Sequence, residues 1–194
     1  MNNIDAEIYL ALVHNPIYNK LGEKITTTVT NYDLHDISRA AKTYDIKKYY
    51  VVNHLKSQQE LVERVKDYWT GGRGANYCYN RHQAFSMLEI ADDLAEVKKK
   101  IETETGKKPL LVATDAKQFS NSISYKGLRD NFKEAEKPYL IIFGTGYGLT
   151  EETLAECDYI LDPIWGRGDF NHLSVRSAAS IIMDRLLSSP WWEE

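Results

Sequence analysis

Four stretches of this chain carry residue types and spacings that can do chemistry. Gly144-Thr145-Gly146-Tyr147-Gly148 sets three glycines on alternate positions directly after an apolar run. Glycines so placed let backbone approach a ligand closely, or simply close a tight strand-to-helix turn. Two sharper readings fail on spacing. A GxGxxG dinucleotide fingerprint needs glycine where Leu149 stands, and no Gly-Lys-Ser/Thr follows to make a triphosphate loop.

The second stretch runs over residues 162–171, Asp162-Pro163-Ile164-Trp165-Gly166-Arg167-Gly168-Asp169-Phe170-Asn171, again after an apolar run. It reads either as a connecting loop ending in an Asn171 N-cap or as a ligand loop. The third, residues 30–39, crowds Asp33, His35, Asp36 and Arg39 at the start of a helix. These are helix-end electrostatics with Asp33 as cap, or proton-handling groups. The fourth, YWTGGRGANYCYNRH over residues 68–82, interleaves glycines and aromatics with Arg73, Arg81 and His82. On a loop these suit phosphate contact and base stacking, or inward packing.

The elements that position these stretches follow from hydropathy. Continuous apolar runs cover Ile8–Val13, Tyr49–Val52, 110–113, 139–143 and Tyr159–Leu161, with a weaker run over 85–90. Continuous rather than alternating runs suit strands covered on both faces, as in a parallel sheet. Helices are expected over 34–44, 57–68, 93–104, Tyr125–Lys133, 151–156 and 172–187. Ser57 with Glu60 reads as a capping box, and Gly106 as a helix stop. In the last helix Val175, Ala179, Ile182 and Leu186 share a face. Strands alternating with helices predict an α/β fold with a mostly parallel sheet flanked by helices. Ligands then bind beyond the carboxyl ends of the strands, where all four stretches are sought.

Composition bounds the function. The 194 residues suit a single domain, 1–194, and 43% are hydrophobic, as a packed core requires. A net charge of −4 excludes a wholesale nucleic-acid coat, so any RNA contact must use a local basic surface. Cys78 and Cys157 are far apart and the five histidines are scattered, so neither a disulfide framework nor a metal site is expected. The opening MNNIDAEIYLALVHN lacks a basic region before a long apolar core, and no run approaches the ~18 residues of a membrane span. A cytoplasmic setting is the expectation.

The order of these pieces resembles the SPOUT class of RNA methyltransferases. LIIFGTGYGLTEE followed by CDYILDPIWGRGDFNHLSVRSAASIIMDRLL is similar to that class's cofactor region. HNPIYNKLGE, TNYDLHDISRAAKTY, GTGYGL and NHLSVRSAASIIMDRL match a bacterial group of that class across nearly the whole chain. The resemblance implies a C-terminal deep trefoil knot that holds S-adenosylmethionine largely through backbone groups. It implies cofactor contacts at Gly144, Thr145, Gly146 and Gly148, at Ile160, Leu161, Pro163 and Ile164, and at Leu173, Ser174 and Val175. It also implies a homodimer with RNA as substrate, tRNA or rRNA. Ser177, Ala178, Ala179 and Ser180 would permit close approach along the last helix.

The first motif of the ribose-methylating branch, Asn-x-Gly-x-x-x-Arg, falls on Asp33-x-His35-x-x-x-Arg39, so its arginine maps onto Arg39 while its Asn and Gly are replaced. The third motif's Ser-Leu-Asn falls on His172-Leu173-Ser174. The catalytic candidates are therefore Arg39, His35 and Asp36, with Asp33 or Asp169 as further proton acceptors and Arg73 and Arg81 as RNA contacts. Two alternatives stay open: a knot protein that binds cofactor without catalysis, and a dinucleotide-dependent oxidoreductase on a doubly wound sheet.

Overall fold

The computed structural model describes residues 6–71 and 73–191. Its strands are β1 (Ile8–Val13), β2 (Ile17–Tyr18), β3 (Lys24–Ile25), β4 (Tyr49–Val52), β5 (Leu88–Ala91), β6 (Leu110–Thr114), β7 (Ser122–Ile123), β8 (Tyr139–Gly144) and β9 (Tyr159–Leu161). Its helices are α1 (Asn31–Thr43), α2 (Lys56–Thr70), α3 (Arg73–Tyr77), α4 (Tyr79–Phe85), α5 (Leu94–Thr105), α6 (Tyr125–Lys133), α7 (Glu151–Ala155) and α8 (Val175–Leu187).

The main sheet has the order β5-β4-β1-β8-β6-β9-β7, and every pairing in it is parallel. β1 and β4 are buried along their whole length, which is why their sequences run apolar without alternation. β1 and β8 pair in register from Ile8↔Tyr139 to Val13↔Gly144, so His14 and Thr145 emerge side by side at the carboxyl edge. One face of the sheet packs Leu10, Leu12, Val51 and Ile141 against Leu34 and Ile37 of α1, Leu128 of α6 and Ile182 of α8. The other packs Tyr9, Ala11, Val52 and Leu140 against Val97 and Ile101 of α5.

Several expected boundaries move, each for a local reason. α1 is capped by Thr30, not Asp33: the Thr30 hydroxyl accepts from Asp33 N at 3.2 Å and donates to the Asp33 carboxylate at 2.6 Å. Ser57 and Glu60 form no capping box. Asn53 Oδ1 takes Leu55 N at 3.0 Å and turns the chain, so that α2 starts at Lys56 with Leu55 as its cap. α8 begins at Val175 behind a Ser174 cap, while Asn171 instead donates to Ala116 O at 2.7 Å. Phe85 closes α4, and the strand expected over 85–90 is β5, Leu88–Ala91.

The largest correction concerns residues 68–82, expected as a loop. They complete α2 and fold into α3 and the first half of α4. Gly74 makes this possible: a Cβ there would lie 2.6 Å from Tyr68 O and 2.9 Å from the Trp69 ring. The β2–β3 hairpin and β7 were not expected at all.

Candidate active site

The carboxyl edge of the sheet is stitched together by side chains from four segments. Thr27 N donates to His14 O at 2.9 Å, and Asn53 Nδ2 donates to Thr27 O at 3.1 Å. Asn53 is fully buried, and its own carbonyl is taken by Gln59 Nε2, which also donates to Asp92. The segment leading into α1 is thus fastened to β1 and β4 before the helix begins.

The glycine-rich loop joins this network. Thr145 N and Thr145 Oγ1 both donate to Val13 O, at 3.2 and 3.0 Å. The loop then reverses and clasps β2: Tyr147 N donates to Tyr18 O and Tyr18 N donates to Gly148 O, both at 3.0 Å. Gly146 (φ +60°) and Gly148 (φ +102°) hold conformations that other L-residues rarely adopt. Gly146 faces protein: a Cβ there would lie 2.6 Å from Ile17 Cδ1. Gly148 borders the Asp115 carboxylate, 3.4 Å from where its Cβ would stand.

Beside it lies the loop after β9. Ile160, Leu161 and Pro163 are buried and Ile164 is half-buried, whereas Trp165, Phe170 and Leu173 are 58, 77 and 42% exposed. Ser174 is exposed and Val175 half-buried at the start of α8. Because β6 lies between β8 and β9, Asp115 at its carboxyl end sits between the two loops. Its Oδ1 accepts Lys117 N at 2.8 Å. Neither Asp115 nor Thr27 was singled out from the sequence. The usable signal for Asp115 was its position one residue past a strand end; Thr27 follows a two-residue strand without a pattern.

The catalytic candidates on α1 part company. His35 packs edge-on against Phe85 and Trp69, ring centroids 4.7 and 5.6 Å away. Burial pushes its pKa down, and Arg81 and Arg39 push the same way against Asp36. Asp36 is paired with Arg176 Nη1 at 3.0 Å, and Arg176 Nε reaches the largely buried Asp33 at 3.5 Å. This arginine therefore clamps the start of α8 onto α1. Arg39 is exposed and has no ion pair among the described residues. It faces, with Asp36, Thr43, Arg176 and Ser177, an open groove of about 500 Å³ between α1 and α8. Asp169 lies in the exposed loop after β9.

The fourth stretch forms a surface of its own. Tyr68, Tyr77 and Tyr79 are 52, 84 and 67% exposed, and Arg73 is exposed among them. Arg81 stacks over the Trp69 ring at 4.6 Å, so its charge is presented from a fixed position. Residues 68–88 contain no Asp or Glu, in a chain with 28 of them, so this segment carries a local excess of positive charge. Its aromatic floor, Trp69 and Phe85, is the same one that receives His35 of α1.

A parallel sheet ending in a clasped glycine loop and a neighbouring Pro loop, with α8 folded back on α1, is the architecture of the SPOUT methyltransferases. The SpoU methyltransferase AviRb of Streptomyces viridochromogenes in complex with AdoMet superposes with a TM-score of 0.60 at 16% identity, over 98% of this chain and 62% of that one. An Aquifex aeolicus TrmH/SpoU tRNA modifying enzyme gives 0.56 at 14% identity, over 96 and 76%. The chain belongs to the SAM-dependent RNA methyltransferase family, whose pattern matches residues 7–188. An uncharacterized protein of A. aeolicus is 42% identical over 95% of this chain and 90% of its own length. A protein of Nitratidesulfovibrio vulgaris named tRNA (guanine-N(1)-)-methyltransferase is 38% identical over 96% of this chain, which spans only 43% of that relative.

Proposed function

We propose that this protein transfers the methyl group of S-adenosylmethionine to a nucleotide of a structured RNA, of the tRNA or rRNA class. The observation that carries the RNA half is the acid-free patch over residues 68–88, with three exposed tyrosines and Arg73. Exposed rings and fixed guanidinium groups stack on bases and neutralise phosphates. The N. vulgaris relative's name supports tRNA as the substrate class; since less than half of that protein is matched, its guanine N1 chemistry is not carried over.

For the cofactor half, the fit is chemical. Gly144, Thr145, Gly146 and Gly148 carry a backbone clasped by the protein's own hydrogen bonds along the carboxyl edge, a firm surface for a ligand to lie against, and Ile160, Leu161, Pro163 and Ile164 supply an apolar wall. Leu173, Ser174 and Val175 lead from the exposed rings of Trp165 and Phe170 into α8. Asp115 adds a carboxylate suited to ribose hydroxyls or a cationic sulfonium. The bound cofactor supplies an electrophilic methyl group, so the protein's work is alignment and removal of the acceptor's proton.

Among the candidates Arg39 is the group free to meet an RNA phosphate or acceptor, because Asp36 is committed to Arg176 and His35 to an aromatic pocket. His35, kept neutral at pH 7 by its surroundings, is the reserve proton acceptor. The return of the chain from β9 to α8 on α1, past a loop clasped to Tyr18, supports a C-terminal trefoil knot in one domain. The α1–α8 groove with Ser177 and Ser180 supports a homodimer in which Arg39 meets the second subunit.

Mass spectrometry of nucleosides from tRNA and rRNA, with and without the gene, tests the function: one methylated nucleoside is expected to disappear and to return with the purified protein. Arg39→Ala is expected to keep folding and cofactor affinity while slowing single-turnover transfer at least ~100-fold. Arg39→Lys should rescue poorly, lacking the planar fork. Transfer by Arg39→Ala at the wild-type rate would reduce Arg39 to a surface charge.

A further inference from the structure

His14 is the first residue beyond β1, and it is buried, 1% exposed. Its Nδ1 lies 3.0 Å from Thr27 Oγ1, Thr27 Oγ1 lies 2.6 Å from Thr145 Oγ1, and Thr145 Oγ1 donates to Val13 O at 3.0 Å. With each of these contacts made as a hydrogen bond, the proton direction along the chain follows from its end at Val13 O. Val13 O can only accept, so the single Thr145 hydroxyl proton is spent on it. Thr145 Oγ1 must then accept from Thr27, whose only hydroxyl proton is spent in turn. Thr27 Oγ1 must therefore accept from His14, which fixes the neutral imidazole as the Nδ1–H tautomer. Burial supports the neutral form, pushing the His14 pKa down to about 4 against the opposing pull of Asp33. Nε2 is then a bare lone pair with no hydrogen-bond partner among the described residues.

From this geometry we infer that His14 is a positioning residue for the methyl donor: through Thr27 it orients Thr145 and so sets the glycine-rich loop against which the cofactor lies. The inference rests on the reading that residues 144–148 hold the cofactor. It assigns to His14 no contact with substrate. What the relay fixes is the Thr145 hydroxyl, whose backbone N–H also bonds to Val13 O, so that the entry to the loop is held twice to the end of β1. A loop entry set from below keeps Gly146 and Gly148 in their left-handed conformations before any ligand arrives, which is pre-organisation.

The tautomer makes the inference separable from mere core packing. An asparagine amide reproduces a donor at the Nδ1 position, whereas a glutamine amide reaches toward the Nε2 position. His14→Asn is therefore expected to keep affinity for S-adenosylhomocysteine within ~3-fold, and His14→Gln to lose at least ~10-fold, about the worth of one buried hydrogen bond. Thr27→Ser should behave as wild type and Thr27→Val as His14→Gln. Calorimetry with S-adenosylhomocysteine reads these affinities without requiring RNA or turnover, and unfolding without ligand confirms that each variant is folded. Long-range proton–nitrogen spectra of the wild-type imidazole should show a protonated Nδ1 and an unprotonated Nε2. Equal affinities for the Asn and Gln variants, or an Nε2–H tautomer, would overturn the relay while leaving the cofactor site standing. A folded wild type that binds no S-adenosylhomocysteine would instead overturn the reading on which the relay rests.

Discussion

The loops after β8 and β9 flank the end of β6 at the carboxyl edge of the sheet, yet they are built in opposite ways. The loop after β8 is tied to β1 and β2 by backbone hydrogen bonds and held from beneath by Thr145, Thr27 and His14. The loop after β9 leaves the sheet as buried Ile160 and Leu161 but then exposes every residue from Trp165 to Phe170. Among the described residues it is fastened to the rest of the fold by Asp162 N to Ile123 O at 2.9 Å, Gln118 to Asp162 at 2.9 Å and Asn171 to Ala116 O at 2.7 Å. One half of the proposed cradle is finished by folding. The other carries apolar rings that stay largely exposed, with Phe170 set edge-on against His172 at 5.6 Å, and exposed rings of this size beside a ligand loop suit contact with a ligand.

The sharpest break of the contrast is a paired glycine substitution. Gly146→Val puts a β-branched side chain at φ +60° and drives its Cβ to within 2.6 Å of Ile17 and 3.0 Å of Tyr18 O. It is expected to destabilise by at least ~3 kcal/mol through strain and overpacking, with loss of S-adenosylhomocysteine binding. Gly168→Ala in the open loop meets nothing within 4 Å and should shift stability by less than ~0.5 kcal/mol. Urea unfolding of both proteins measures this. Similar losses at the two sites would erase the distinction between a built half and an open half. The same geometry bears on why Gly146 is glycine: its missing side chain makes room for β2, so lost affinity in Gly146→Val reports the loop's own fold as much as contact with a ligand.

The next effect is pH-dependent and belongs to the built half alone. His14 has a folded pKa near 4, below the ordinary 6.5, because burial disfavours its charged form. Between those values the unfolded chain binds a proton that the folded chain refuses, so stability is lost as pH falls from about 6.5 toward 4. Full expression is worth roughly 3 kcal/mol. His14→Asn should abolish this part of the slope, which unfolding curves taken at pH 7, 5.5 and 4.5 would show; an unchanged slope would mean that His14 is accessible to protons in the folded state.

How far the sequence foretold this arrangement divides along the same line. The long strands were legible because burial on both faces leaves an uninterrupted apolar run, and β1, β4 and β9 fall where those runs do. The Gly144–Gly148 turn was legible from its glycines, though not that Gly146 serves β2. The hairpin of β2 and β3 and the two-residue β7 were not, since two residues carry no period. Residues 68–82 were misread because glycines and aromatics suggest a loop, whereas the packing of Gly74 on Tyr68 and Trp69 overrides propensity. The His14–Thr27–Thr145 chain spans 132 residues from Val13 to Thr145 and joins three strand ends, so nothing local announces it. Asp36 looked like a proton acceptor in sequence because Arg176, the residue that occupies it, lies 140 positions away.

The smallest expected effect concerns the open half. Phe170 is 77% exposed, so Phe170→Ser should change stability by no more than ~0.5 kcal/mol, while Trp165, 58% exposed, buries more and Trp165→Ser should cost about 1 kcal/mol. If the rings close on the cofactor's adenosine, each buries further apolar area only when ligand is bound. At about 25 cal/mol per Å², covering some 40 to 60 Å² per ring corresponds to roughly 1 to 1.5 kcal/mol, or a ~5- to 10-fold loss of affinity. Calorimetry with S-adenosylhomocysteine reads the loss directly. Hydrogen exchange adds the location: ligand should slow exchange over residues 165–173 more than at Thr145, Tyr147 and Gly148, whose amides are hydrogen-bonded within the protein. Unchanged affinity in both serine variants would remove these rings from the cofactor site. They would then be left, with Tyr68, Tyr77 and Tyr79, as candidates for stacking on RNA, and loss of RNA affinity in the same two variants would decide it.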